Sequence, residues 1–182
     1  MSRIPYDQET VPAESKQLLE HVEKTFGMVP NFFSLIALSP DALKGVTALH
    51  STIGRSLGPK TRERIHIAIA EVNGCDYCVS AHTHLAQKLA GLTAEDTALN
   101  RLGRSTDRKA DAAVLFAQKV AKTRGHIDDA DLAAVRAAGW SDAQIIDIIA
   151  ELAFSFTTNM FNNVAETEID SAFPILHTKK AA

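Results

Sequence analysis

Proline and glycine cut this chain into short segments that each read as a helix, and that punctuation constrains the fold more than any other feature. Pro12 opens a stretch with apolar positions at Leu18, Leu19, Val22 and Phe26, and Gly27 closes it. Proline suits a first helical turn because its missing N–H has no partner there anyway, and glycine takes the left-handed turn that ends a helix. Pro30-Asn31 starts a short apolar piece, Phe32 to Leu38. Ser39-Pro40 is an N-cap followed by proline and leads a helix to about Arg55. Gly58-Pro59 opens another, with Ile65, Ile67, Ala68 and Ile69 on its buried side, and Asn73-Gly74 breaks it. Cys75 begins the next, which runs to Ala90 before Gly91.

The second half repeats the grammar. Thr93-Ala-Glu-Asp96 is an N-cap with acids in the first turn. A helix from about Asp107 to Arg124 carries Ala113, Phe116, Ala117 and Val120 and stops at Gly125. Asp128 to Ala138 follows, ended by Gly139, and Ser141-Asp-Ala-Gln144 is a capping box before a long helix through Ile145, Ile149, Leu152, Phe156 and Met160. No period-two strand pattern stands out. The expectation is an all-α single domain spanning residues 1–182, with about seven to nine helices. Residues 1–10 and 174–182 read as arms of the kind that often cross to a neighbouring subunit. Ile145-Ile146-Asp-Ile148-Ile149 and Phe154-Ser-Phe156 are apolar on more than one face. Such helices are either central or meet another subunit, and oligomerisation is the favoured reading.

Charge and composition narrow the function. With 19 basic against 22 acidic residues, the net charge is −3, and the scattered Lys and Arg make no stripe for nucleic acid or anionic lipid. The first residues lack an apolar signal-peptide region, and the run from Ile145 to Phe156, interrupted by Asp147 and Glu151, is too short to span a bilayer. A cytoplasmic location is therefore expected, where a Cys-x-x-Cys pair is seldom a structural staple.

The chemistry concentrates in Glu71-Val-Asn-Gly-Cys75-Asp-Tyr-Cys78-Val-Ser-Ala-His82, which holds the only 2 cysteines of the chain. Thiols three positions apart on a helix can close a disulfide within one turn, and a histidine one turn beyond lies over the same face. Gly74 puts Cys75 at the helix start, where free N–H groups and the dipole stabilise a thiolate and lower a thiol pKa of about 8.5 by about one unit or more. His82 is placed to exchange a proton with either sulfur, and an imidazole in that role needs a carboxylate to orient it. Glu63 and Glu71 both precede the pair, about 80° apart around their helix from the 3.6-residue period, so the period alone leaves both open. His66 shares a face with Glu63, and Tyr77 lies between the thiols. His84 points elsewhere, and His21, His50, His126 and His177 carry no partner pattern. Zinc held by Cys75, Cys78 and His82, with His84 or a carboxylate as fourth ligand, is the rival reading. No second Cys or His pair stands at zinc-finger spacing, so thiol redox chemistry with no metal and no cofactor is preferred.

The stretch from Leu57 through Arg62-Glu63-Arg64 to Cys75-Asp-Tyr-Cys78-Val-Ser-Ala-His82 resembles the alkylhydroperoxidase D family of the carboxymuconolactone decarboxylase superfamily. The similarity covers roughly residues 40–125, and Phe161-Asn162-Asn163-Val164-Ala165 resembles a run common in the later helices of these proteins. The resemblance implies an all-helical fold, a trimer or hexamer, and a cysteine peroxidase. It maps the attacking thiol onto Cys78, the resolving thiol onto Cys75, and the relay onto Glu63 and His82. Glu71, Tyr77 and His66 are then flanking candidates. The best-studied members carry a histidine where this chain has Tyr77, a departure from the full relay. The implied partners are a hydroperoxide and a dithiol reductant, either a lipoylated or a thioredoxin-like protein. A decarboxylase or lactone-processing enzyme of the same superfamily, and a redox-sensing oligomer without enzymatic activity, are the alternatives.

Overall fold

The computed structural model describes residues 2–179. Among them are nine α-helices: α1 (Ala13–Phe26), α2 (Asn31–Ile36), α3 (Pro40–Thr52), α4 (Gly58–Val72), α5 (Asp76–Lys88), α6 (Ala94–Arg101), α7 (Arg108–Thr123), α8 (Asp129–Ala137) and α9 (Asp142–Ala165). No strand forms among the described residues. The caps sit where the local chemistry puts them. Ser39, Thr93 and Asp107 each accept a backbone N–H from the first turn they precede, and Asp128 with Asp131 and Ser141 with Gln144 close reciprocal capping boxes.

One boundary differs clearly from expectation. The third helix stops at Thr52 rather than near Arg55, because Gly54 turns left-handed (φ 63°) and Arg55–Leu57 form a separate 3-10 turn. Cys75 stands at the start of α5 as its N-cap. The last helix runs through Met160 and ends at Ala165.

α4 is the axis of the molecule and packs against α5, α6, α7 and α9. Ile65, Ile67, Ala68, Ile69 and Ala70 on it are fully buried. Isoleucine burial of this kind is worth roughly 1.5–3 kcal/mol per side chain. Two apolar clusters share that helix. One gathers Phe32, Ile36, Leu43, Ile67, Val79 and Phe154 on the side of α2, α3 and α5. The other gathers Ile65, Ile69, Phe116, Val120, Trp140 and Ile148 on the side of α7, α8 and α9. Trp140 is an anchor here, with its indole N–H donating to Lys109 O at 2.8 Å and the Lys109 ammonium 4.4 Å over the ring.

Both ends make contacts within this chain. Arg3 N donates to Ala165 O at 2.7 Å. Toward the other end, Leu176 and Ser80 exchange hydrogen bonds, Thr178 N and Oγ1 both donate to Asp76 Oδ1, and Lys179 N donates to Glu71 Oε1. Backbone groups at 176–179 thus find acceptors at the start of α5 and the end of α4. Residues 1 and 180–182 lie outside the described residues. One face of α9 is open, with Ile146, Ile149, Met160 and Val164 all exposed.

A buried ion pair ties α4 to α6. Arg64 donates to Asp96 Oδ2 through Nη2 (2.6 Å) and Nε (3.1 Å), while Asp96 Oδ1 takes Thr106 N at 3.2 Å. Burial alone pushes the Asp96 carboxyl up, but the bonds from Arg64 and Thr106 outweigh it and hold the carboxyl below its ordinary value. A depressed carboxylate stabilises the fold above its unfolded pKa, and that contribution is lost as pH falls through the folded value, here below about 4. Asp96→Asn leaves the Arg64 charge buried without a counter-ion and is expected to cost about 3 kcal/mol in urea unfolding at pH 7. The difference from wild type should shrink as pH drops toward 3.

Candidate functional site

The site is built at the joint between α4 and α5. Asn73 N and Cys75 N donate back to Ile69 O and Ala70 O, both at 2.9 Å, and Gly74 takes the left-handed conformation (φ 64°) that lets the chain reverse. α9 holds the joint from the side. Asn73 Nδ2 donates to Asn159 Oδ1 and Asn163 Nδ2 donates to Asn73 O, each at 2.9 Å. The reversal lays α5 along α4 and brings together side chains 19 positions apart: Glu63 Oε2 and His82 Nδ1 are 2.9 Å apart and partly buried.

Both thiols are buried and unlinked. The Cys78 backbone N–H donates to Cys75 Sγ at 3.3 Å, the Cys75 thiol donates to Cys78 Sγ at 2.6 Å, and Asn162 Nδ2 donates to Cys78 Sγ at 3.3 Å. Cys78 therefore collects donors. Burial would raise its pKa, yet the Cys75 thiol, the His82 charge and the amides of Asn162 and Asn159 outweigh that and bring the Cys78 thiol below its ordinary value. Donation to Cys78, burial and repulsion by the Cys78 charge push the Cys75 thiol far up. This reverses the expectation that the helix start favours a thiolate on Cys75. As the cap, Cys75 spends its proton on its neighbour, and the stabilised anion sits one turn inside.

His82 and Glu63 shift in opposite senses. Burial lowers the imidazole's affinity for a proton, but the Glu63 charge and hydrogen bond, with the Cys78 charge, raise it above its ordinary value. Burial raises the Glu63 carboxyl, and His82 outweighs it and brings the carboxyl down. Both shifts favour the imidazolium–carboxylate form of the pair. His66 lies beneath it, with its ring stacked on that of His82 (centroids 4.5 Å apart, planes at 22°). His66 Nδ1 meets Ser155 Oγ at 2.8 Å, and Nε2 lies 3.1 Å from Glu151 Oε2. Burial, then the charge of His82, keeps the His66 imidazole well below its ordinary pKa, hence neutral.

The other flanking candidates have different occupations. Glu71 binds Arg101 Nε at 2.8 Å and the Lys179 backbone, tying the C-terminal segment and facing away from His82. Tyr77 borders the site, but its hydroxyl accepts from Phe32 N at 3.1 Å and donates to Asp170 Oδ2 at 2.8 Å. Burial and the Asp170 charge push the phenol far above its ordinary range, so it is no base. Among the described residues, no group of three or more His, Cys, Asp or Glu is arranged to hold a metal, so Cys75, Cys78, His82 and His84 do not form the alternative zinc set.

A cavity of about 270 Å³ opens onto this chemistry. Phe26, Phe32, Phe33, Phe154 and Phe173 line it, together with Cys78, His82, His50 and His84, whereas Cys75 does not. Sequence reading passed over His50, Asn162, Ser155 and Glu151. Asn162 stood in the Phe161–Ala165 run, and Glu151 signalled itself as a charge inside an apolar stretch.

Residues 40–123 match the carboxymuconolactone decarboxylase family. The fold is similar to the alkylhydroperoxidase AhpD core of an uncharacterized peroxidase-related protein from Ralstonia eutropha, at TM-score 0.82 and 29% identity over 93% of each chain. The fold is alkylhydroperoxidase D-like, with the carboxymuconolactone decarboxylase family match lying in its central helices. An uncharacterized peroxidase-related protein from a Silicibacter species shares the fold at TM-score 0.80 and 24% identity, over 94% of this chain and 92% of that one. The debrominase Bmp8 shares it at TM-score 0.76 and 18% identity, over 93% of each chain. No curated protein sequence matches the chain. The family and these neighbours place this alkylhydroperoxidase D-like protein among peroxidase-related or decarboxylase-type proteins. No helix of the described residues is long and apolar enough to cross a membrane.

The ion pair gives a direct test. A raised imidazole and a lowered carboxyl stabilise the fold together between their two titrations: the Glu63 part is lost as pH falls through its folded pKa, the His82 part as pH rises through its own. In histidine-selective NMR of the reduced protein, His82 should titrate above pH 6.5. Glu63→Gln should lower that midpoint by about one unit or more. An unchanged midpoint would show that Glu63 does not set the charge on His82.

Proposed function

We propose that this protein reduces hydroperoxides by forming a Cys75–Cys78 disulfide, with Glu63 and His82 as its proton relay. The observation that carries the reading is the asymmetry of the pair: Cys78, alone of the two thiols, lines the apolar cavity, and its sulfur receives both the Cys75 thiol and the Asn162 amide and feels the charge of His82.

The Cys78 thiolate attacks the terminal oxygen of the hydroperoxide. The S–O bond forms as the O–O bond breaks, sulfur is oxidised by two electrons, and the alkoxide leaves with the proton of His82 as an alcohol. Cys75, already in contact with Cys78, attacks the sulfenic acid. The S–S bond forms, and hydroxide leaves with the Cys75 thiol proton as water. A dithiol on a lipoylated or thioredoxin-like protein then returns two electrons and two protons by thiol–disulfide exchange. The phenylalanine walls suit an organic hydroperoxide, whose body they strip of water while the reacting oxygen meets Cys78. In this scheme Tyr77 has no proton to move, and the relay runs through Glu63 and His82 alone.

The single test is a mass measurement after one equivalent of an organic hydroperoxide. It should show loss of two hydrogens, with Cys75 and Cys78 joined in the peptide map, and Cys78→Ser and Cys75→Ser should each abolish turnover. Unchanged peroxide consumption by either variant rules the mechanism out. Activity on a muconolactone that survives thiol alkylation would put a lactone-processing reaction in its place, since that chemistry has no use for the pair. A large change of assembly on oxidation without peroxide turnover would favour a sensor.

The same proposal includes a homo-oligomer, a trimer or hexamer. Its support is the open face of α9, where Ile146 is 67% and Val164 66% exposed in a single chain. Light scattering should report an oligomer for the wild type and a smaller species for Ile146→Asp combined with Val164→Asp. A monomeric wild type would remove this part.

A further inference from the structure

The reactive pair of Glu63 and His82 does not rest on bulk packing. Beneath it lies a second carboxylate–histidine pair, contributed by α4 and α9, that the proposed reaction leaves unused. Glu151 is completely buried and joins Arg62 through Oε1. Its other oxygen lies 3.1 Å from His66 Nε2, close enough for an ion pair but not aligned for a hydrogen bond, and among the described residues both of these buried atoms lack a hydrogen-bond partner. Ser155 occupies the remaining ring nitrogen of His66 at 2.8 Å. The backbone makes room for this carboxylate. At Gly54, which is left-handed, a Cβ would lie 1.9 Å from Glu151 Oε1, so any side chain there would displace it. A buried carboxylate with a cation on one oxygen, a ring nitrogen close to the other and a glycine cleared against it is built rather than incidental.

We infer that Glu151 and His66 are positioning residues, a carboxylate paired with Arg62 and a clamped imidazole, that hold the His82 ring face to face and keep the proton on it. The inference rests on reading Cys78 as the thiolate beside His82. Burial raises the Glu151 carboxyl above its ordinary value, and the Arg62 charge and hydrogen bond work against that. Ser155 Oγ, which donates to Glu151 O at 3.0 Å, meets His66 Nδ1, and Glu151 Oε2 lies 3.1 Å from Nε2, so both edges of the ring that His82 stacks on are held from α9. A second protonated ring in that position would repel the His82 imidazolium, whereas a neutral one accepts its face. The charged and titratable groups around His82 are Arg62, Glu63 and His66 on α4, His50 on α3, Cys78 on α5 and Glu151 on α9. Of these, Glu63 touches the imidazole edge, and Glu151 acts from behind the stacked ring.

The test uses the full-length reduced protein and two readouts that need no peroxide. The first is the pH dependence of Cys78 alkylation by iodoacetamide, read by peptide mass so that Cys75 is scored separately. Glu151→Gln should move the Cys78 midpoint up by about one pH unit, because loss of the buried charge lowers the proton affinity of His82 and hence the stability of the thiolate beside it. His66→Phe keeps a ring in the stack but cannot bind Glu151, and should move the midpoint the same way. A purely packing role predicts no movement in either variant, and that result overturns the inference. The second readout covers the case in which Glu151→Gln fails to fold. In histidine NMR of the wild type, His66 should stay neutral throughout the titration of His82, and a His66 that takes up a proton above pH 6.5 also overturns it. Failure to consume any peroxide would remove the proposed function and leave this assignment intact, since neither readout depends on turnover.

Discussion

A helix buried on every side cannot leave a charge unpaired, and that constraint on α4 organises the molecule. Its first half carries Arg62, Glu63, Arg64 and His66 into an interior otherwise made of isoleucine and alanine. Each of the four meets a partner on another helix, and Arg62 and His66 share one. Arg62 takes Glu151 on α9, Glu63 takes His82 on α5, Arg64 takes Asp96 on α6, and His66 takes Ser155 and Glu151 on α9. Leaving any one of them without its partner would expose the full desolvation penalty of a buried polar group, several kcal/mol for a charge. The pairings therefore fix how α5, α6 and α9 sit against α4, in distance and in rotation. The candidate site is one of these obligatory pairings that has also been given a thiol and an opening.

The same logic separates two cysteines that look equivalent in sequence. Cys75 and Cys78 lie on one helix end, both buried, with Sγ atoms 2.6 Å apart. Backbone reasoning alone favours the cap position for a thiolate, because the dipole and the free N–H groups are there. Side chains from other elements decide otherwise. Asn162 and Asn159 reach in from α9 and His82 adds its charge, all directed to Cys78, while Cys75 donates its own proton to the same sulfur. Three modest donors plus a nearby cation outweigh one dipole worth about 0.3–1 kcal/mol at a helix end.

What the sequence disclosed and what it withheld divide along this line. Most of the helices were legible because their signals are local: a Ser, Thr or Asp cap lies within a turn of the start of α3, α6, α7, α8 and α9. The thiol pair and His82 were legible for the same reason. The choice between Glu63 and Glu71 was not, since helical period places both near the joint, and only the packing of α5 on α4 tells which one meets the imidazole. The Arg62–Glu151 pair joins residues 89 positions apart, so no window along the chain contains it. The contacts of the C-terminal segment lay beyond sequence reasoning because its partners are distant along the chain. Its acceptors on Asp76, Ser80 and Glu71 appear only once α4 and α5 are folded together.

That arm also bears on the chemistry. Asp76 is the first residue of α5 and the immediate neighbour of Cys75. Its carboxylate receives Thr178 N at 2.8 Å and Thr178 Oγ1 at 2.7 Å on one oxygen, and lies 2.8 Å from His177 Nδ1 through the other. Burial works to raise this carboxyl, and the bonds from Thr178 and His177 overcome it and keep the group ionised. A fixed negative charge beside Cys75 disfavours a second thiolate there, which is the condition under which Cys75 keeps its proton for Cys78. Arg101, which bridges Glu71 and His177 O, holds the segment against that helix end. The C-terminal strap thus acts on the thiols through the charge of Asp76. The difference between the two sulfurs is maintained from both sides, by amides and an imidazolium drawing charge onto Cys78 and by a strapped carboxylate keeping it off Cys75.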